Sequence, residues 1–250
     1  MDQWDRGPRT LVVVLIVVAV LLAATYWLAF PVVVRAAAAR VPQSALETIG
    51  MQVLASLDGG LLTPSELPTA RQMTLTEAFG RLSLPPELAG HARLVFRKSD
   101  ALRANAMALP SGVVIVTDDL VGLAKDADDV VAVLAHEVGH LEGRHGVRAV
   151  IQSALVAGLV TVVIGDVSAL AAAAPTALLN ARYSRDLERE ADAYAVAALR
   201  GIGIASTRLA DMLERMEAER AGEGTESPPG AFAYLSTHPT TSERLRTLRQ

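Results

Sequence analysis

The chain has 250 residues, of which 51% are hydrophobic, 4% aromatic and 20% charged, and it contains no cysteine. That length holds one domain of ordinary size with at most a small appendage, and a core that needs no disulfide or metal merely to fold. The cysteine count excludes a disulfide framework, a thiolate metal site and a cysteine nucleophile, and a net charge of −4 argues against nucleic acid as the main partner.

The apolar excess begins at the N-terminus. No charge interrupts the run from Thr10 to Val34, which is dominated by Val, Leu, Ile and Ala. About 20 apolar residues in a helix cross a bilayer core, so this run predicts a single-pass anchor, with residues 1–35 forming a tail and transmembrane helix. Tyr26 and Trp27, toward its end, suit a membrane interface. The competing reading, a cleaved signal peptide, expects an apolar stretch of only about 7–15 residues. Arg6 and Arg9 on one side nearly balance Arg35 and Arg40 on the other, so the charge rule is close to a tie. The short tail favours a cytoplasmic N-terminus with the domain outside.

Residues 36–91 read as a helical scaffold punctuated by Pro42, Gly59-Gly60, Pro64, Pro68 and Pro85-Pro86. Residues 92–98 and 112–117 read as strands. Between them Asn105-Ala106-Met107-Ala108-Leu109-Pro110 is extended, and Pro110 confines it to an edge or a strand end. A helix is predicted from about Asp126 to Gly143, with aspartates at its positive end and Gly143 and Gly146 as the stop. Residues 149–181 form a second apolar region broken only by Asp166. Further helices are predicted over about 178–199 and 206–220, with a Gly- and Pro-rich loop at 221–230. A last helix follows His238-Pro239, where Thr240 and Glu243 have capping-box spacing.

The informative stretch is His136-Glu137-Val138-Gly139-His140. Histidines four apart share one face of a helix, so both rings can meet one ion. Neutral imidazole is a good zinc ligand, and Glu137, beside the first ligand, can reach the attacking water as general base. The bland reading is a helix with two packed histidines.

A catalytic zinc needs a third protein ligand. His145 is one candidate, but a metzincin would place that histidine three residues after Gly143, at the position of Gly146. Off register by one, His145 is expected to pack or hydrogen-bond near the helix end. The other candidate lies in Tyr183-Ser-Arg-Asp-Leu-Glu-Arg-Glu-Ala-Asp192. Glu188 and Asp192 share a helix face, so one carboxylate can ligate zinc while the other accepts a hydrogen bond from a ligand histidine. Spacing alone leaves Glu190 as a rival, and Arg182, Arg185 and Arg189 make an ordinary solvated face credible.

These residues together resemble the HtpX/CAAX-prenyl-protease family of zinc metallopeptidases, in particular its BepA-like and Oma-like members. The resemblance runs over roughly residues 92–250. It rests on Asn105–Pro110, Ala135–His140 with Arg144-His145, Tyr183-Ser184-Arg185, Glu188–Asp192, and Ser236-Thr-His-Pro239 with Arg244. It implies a mainly helical α+β fold of zincin-like, gluzincin type, with a small sheet. It also implies one Zn2+ per chain on His136, His140 and Glu188, with Glu137 as base and Asp192 behind a ligand histidine. Asn105–Pro110 would be the edge strand that a polypeptide substrate joins in extended form. His238 would be a regulatory fourth ligand, competing with a plain packing role before the last helix. Arg185, Tyr183 and His238 are candidates for the oxyanion donor.

Because His140 and Glu188 would share an ion, residues between them cross a membrane twice or not at all. Two crossings need roughly 40 apolar residues, so 149–181 is expected to be buried or membrane-adjacent. The reading that emerges is a membrane-anchored zinc metalloendopeptidase acting on misfolded or membrane-associated polypeptides. A bacterial inner membrane with an extracytoplasmic domain fits it. The alternatives are a membrane-tethered chaperone or adaptor on the same fold, and a narrow processing protease.

Overall fold

The computed structural model describes residues 6–24, 28–164, 185–222 and 238–250. The chain divides into two compact units, Met1–Val41 and Pro42–Gln250. The first contains helices α1 (Arg6–Ala24) and α2 (Phe30–Ala39), the latter started by Pro31 in its first turn. Leu11 to Val18, Val20 and Leu21 of α1 are exposed apolar side chains. Among the described residues no helix is long and apolar enough to cross a membrane. Tyr26 and Trp27, and residues 165–181 of the second apolar region, lie outside the described residues.

The second unit is mainly helical around a small mixed sheet. In chain order it contains α3 (Gln43–Asp58), β1 (Thr63–Pro64), α4 (Thr69–Phe79), β2 (Arg93–Lys98), β3 (Ala106–Ala108) and β4 (Val113–Thr117). Helices α5 (Asp118–Leu123), α6 (Ala127–Glu142), α7 (His145–Ile164), α8 (Arg185–Gly201), α9 (Thr207–Gly222) and α10 (Ser242–Leu248) follow. The sheet order is β1-β2-β4-β3. β4 runs parallel to β2 and antiparallel to β3, with Met107 opposite Ile115.

β4, Val-Val-Ile-Val-Thr, is buried along its whole length, as an unbroken run of β-branched residues predicts for an inner strand. Alternate side chains point to opposite faces. Val114 and Val116 join the main core, with α4, α6, α8 and α9. Val113 and Ile115 join a second cluster with Val53, Leu54 and Leu57 of α3. β3 is the sheet edge. Leu109 N–H bonds Val113 and Thr117 N–H bonds the Asn105 carbonyl. The intervening residues Ala106 and Ala108 therefore turn their backbone groups outward.

α6 is the central helix, with every residue from Asp129 to Leu141 buried. Asp126 caps its start by accepting from Asp129 N–H. The buried Asp129 carboxylate takes Arg208 Nη1 and Arg215 Nη2 of α9 at 2.8 and 2.7 Å, which ties α9 to this end of α6. Burial pushes the Asp129 carboxyl up, but the two guanidinium groups hold it below its ordinary range. At the chain's end the cap differs from expectation. Thr241, extended at φ −120°, accepts from Arg244 N–H, so the helix starts at Ser242 and Thr240 is one residue too early.

Candidate metal centre

The His136–His140 motif lies in the C-terminal half of α6, and His136, Glu137 and His140 are 0%, 1% and 3% exposed. α8 crosses α6 at Gly139, where a Cβ would stand 2.8 Å from the Ala191 carbonyl oxygen and 2.9 Å from its Cα. Only a residue without a side chain permits that approach. It brings Glu188 and Asp192, one turn apart on α8, against the two histidines.

Four donors converge. His136 Nε2 and His140 Nε2 are 3.0 Å apart. Each lies 3.4 Å from a Glu188 carboxylate oxygen. His238, from the loop before α10, places Nδ1 2.9 Å from Glu188 Oε1 and 3.5 Å from His136 Nε2. One donor atom from each of these residues lies within 4.8 Å of all the others. Behind them, Asp192 Oδ1 meets His136 Nδ1 at 2.9 Å. Arg244 reaches both carboxylates: Nε and Nη2 donate to Asp192, and Nη1 lies 2.8 Å from Glu188 Oε2.

The charges follow from these contacts. Burial pushes the Glu188 carboxyl up, yet His238 and His136 hold it far below the usual carboxylate range. Burial likewise raises Asp192, and His136 and Arg244 more than offset it. Burial pulls His136 down, but Asp192 and Glu188 lift it to about 9. Burial and the neighbouring charges of His136 and His238 push His140 well below its ordinary value.

Glu137 is turned toward the edge strand. Its Oε2 accepts from the outward N–H of Ala108 on edge strand β3 at 3.1 Å. Its Oε1 is 3.9 Å from His238 Nε2. Met107 points its backbone inward to β4, and Leu109 and Asn105 are buried.

A family model described as peptidase family M48 matches residues 68–250. The chain belongs to that family. The mitochondrial metalloendopeptidase OMA1 of Schizosaccharomyces pombe is 29% identical over 150 residues, 58% of this chain and 43% of the relative. The protein of the same name from Arabidopsis thaliana is 30% identical over 154 residues, 29% of its length. Metalloprotease LoiP of Escherichia coli is 29% identical over 153 residues, 57% of its length. The chain thus spans between under a third and under three-fifths of these relatives.

Metalloproteases of family M48 use zinc, and the donor set here fits it. Ligand atoms about 2.0–2.1 Å from a tetrahedral zinc stand roughly 3.3 Å from one another, which is close to the 3.0–3.4 Å between the His136, His140 and Glu188 donor atoms. The His238 donor is spaced less evenly, 2.9 Å from Glu188, 3.5 Å from His136 and within 4.8 Å of all three. Asp192, holding His136 Nδ1, leaves Nε2 as the donor into that group. No soft thiolate is present to favour another metal.

Other expected residues fall elsewhere. Glu190 is turned away from the group and takes His145 Nε2 and Arg148 Nη1. Two positions along a helix are about 200° apart, which separates it from Glu188. His145 lies behind His140, not in the donor group. Arg185 is exposed at the first residue of α8 and lines a cavity of about 580 Å³ with Glu188, Asp192 and Arg244. Tyr183 lies outside the described residues. In the sequence Arg244 stands out only through the family resemblance, which gives it no role. Its bonds to two carboxylates more than 50 positions away explain why spacing could not assign one.

Proposed function

We propose that this chain is a membrane-anchored zinc-dependent metalloendopeptidase. The observation that carries the reading is the placement of Glu137 between a convergent His136, His140 and Glu188 set and the outward backbone of an edge strand. A peptide laid along Ala106 and Ala108 gains backbone hydrogen bonds without regard to its side chains. Its scissile carbonyl would then lie beside the donor group. When bound, zinc supplies a Lewis acid for that carbonyl and lowers the pKa of the attacking water. Glu137 takes the proton from the water and passes it to the leaving amine. The Ala108 N–H that now holds Glu137 Oε2 becomes available to the substrate backbone as Glu137 turns to the water. Arg244 and Asp192 keep Glu188 and His136 in place throughout.

In the described arrangement His238 is the fourth donor and would block substrate until its loop moves, so it is assigned a regulatory role. The anchor is supported by the uncharged run from Thr10 to Val34 and the exposed apolar side chains of α1. Backbone-directed recognition and a membrane tether suit quality control of membrane or envelope polypeptides, with the catalytic domain on the extracytoplasmic side.

The test uses the full chain purified in detergent. It should contain about one zinc, degrade unfolded casein, lose activity with a chelator and regain it with added zinc. Casein cleavage that continues after complete metal removal would overturn the proposal.

A further inference from the structure

α6 ends at Glu142, and α7 begins three residues later with His145. Between them Arg144 adopts φ 49°, the left-handed region. For a residue with a side chain this conformation is strained, so the surrounding structure must hold it there. The consequence is geometric. The His145 imidazole packs beneath the end of α6, against Gly143, where a Cβ would collide with the ring. The ring is wholly buried, with Nδ1 2.8 Å from His140 Nδ1 and Nε2 3.1 Å from Glu190 Oε2. Arg148 Nη1 holds the same Glu190 oxygen at 2.8 Å.

We propose that His145 is a positioning residue for the metal centre: backed by Glu190 and Arg148, it locks His140 in the tautomer that presents Nε2 to zinc. The proton positions follow in one direction only. Glu190 is an ionised carboxylate and can only accept, so His145 Nε2 carries a hydrogen. A neutral His145 then offers a lone pair at Nδ1. The 2.8 Å contact is a hydrogen bond only when His140 Nδ1 carries the proton. That leaves the His140 lone pair at Nε2, the atom facing His136 and Glu188.

The two ligand histidines are therefore backed in different ways. His136 has a carboxylate directly on Nδ1, and His140 has an imidazole with a carboxylate beyond it. The difference has an electrostatic reason. Glu188 and Asp192 already place two carboxylates in this buried volume, and Arg244 balances only one charge. A third carboxylate directly on His140 would add a further buried negative charge, with its own desolvation penalty. The imidazole spacer moves that charge to Glu190, whose side chain is 36% exposed and paired with Arg148.

The inference rests on the proposed zinc site and is tested by zinc affinity and tautomer, not by cleavage. The full chain in detergent is titrated with Zn2+ against a competing chelator as wild type, His145→Leu, His145→Asn and Glu190→Ala. Loss of such a supporting partner typically weakens metal affinity about 10–100-fold. His145→Leu should fall in that range. His145→Asn, whose Oδ1 can accept where Nδ1 does, should recover most of the loss, and Glu190→Ala should fall between them. Melting of the metal-free forms shows which variants fold. Imidazole ¹⁵N spectra of zinc-loaded wild type should show His140 protonated at Nδ1, a reading that stands even if a variant fails to fold. Equal affinities for wild type and His145→Leu, equal losses for Leu and Asn, or His140 protonated at Nε2 would each overturn the proposal while leaving the zinc site intact. A wild type that binds no zinc would remove the metal-centre reading and this one with it.

Discussion

The Arg244 guanidinium grips the Asp192 carboxylate with two parallel hydrogen bonds of 2.8 Å, both groups being buried. Its remaining nitrogen reaches Glu188. One side chain from the last helix thus reaches both the donor carboxylate Glu188 and the supporting carboxylate Asp192. Replacing Arg244 by Met leaves two buried carboxylates short of a counter-charge, for which breaking a buried pair costs about 3–5 kcal/mol. Urea unfolding should show a loss of that size, and Arg244→Lys should recover only part of it because the ammonium lacks the planar fork. A loss under about 1 kcal/mol would mean that the pair is dispensable.

The crossing of α6 and α8 at Gly139 sets the distance from Glu188 to the histidines. Gly139→Ala introduces a Cβ against the Ala191 backbone, which cannot swing aside as a flexible side chain would. Overpacking of this kind costs about 1–3 kcal/mol. It should also weaken zinc binding, because the helices separate where the carboxylate enters. Wild-type zinc affinity in a destabilised Gly139→Ala protein would show that the crossing serves the core alone.

Stability of the metal-free protein should peak near pH 6.5. His136 is raised from 6.5 to about 9, so what it contributes is fully present below 6.5 and is lost as pH rises through 9. His145, pulled down to about 4 by burial, acts oppositely, as does the lowered His140. The unfolded chain binds those protons below about 6.5, so stability falls as pH drops under that value. The depressed carboxyls of Glu188 and Asp192 add to the acid loss, at lower pH. Zinc replaces the proton on His136, so loading the protein should remove the alkaline decline. Melting temperatures from pH 5 to 9, with chelator and with zinc, check both limbs. A metal-free midpoint that holds constant from pH 6.5 to 9 would contradict the charge assignment.

His238 contacts Glu188 and approaches both His136 and Glu137. As a blocking fourth donor, it should restrain the enzyme, and His238→Ala should raise casein cleavage several-fold while binding zinc less tightly. Unchanged or lower cleavage would instead assign the histidine to packing or to the oxyanion.

Much of this centre was legible because short spacings determine geometry within one helix. His136, Glu137 and His140 needed only the four-residue repeat, and the Asp126 cap and Gly143 stop bounded their helix nearly to the residue. β4 announced itself as a run of β-branched residues. What was not legible depends on how separate segments meet. Choosing Glu188 over Glu190 needed either a family resemblance or the α6–α8 crossing. Counting from Gly143 excluded His145 from the donor group and left it packing or hydrogen-bonding near the helix end, where it is found, but spacing could not name Glu190 as its partner. Arg244 acts across more than 50 positions, and Thr241 takes the cap from Thr240 because the loop enters one residue later than spacing suggests.

The most direct test of the central claim compares wild type with Glu137→Gln, each assayed for bound zinc and for casein degradation. Glutamine keeps the size of the side chain and lacks the basic carboxylate. Both proteins should hold about one zinc, and only wild type should cleave. Equal cleavage by the two would remove Glu137 as the general base, and a wild type that folds without retaining zinc would contradict the metallopeptidase assignment itself.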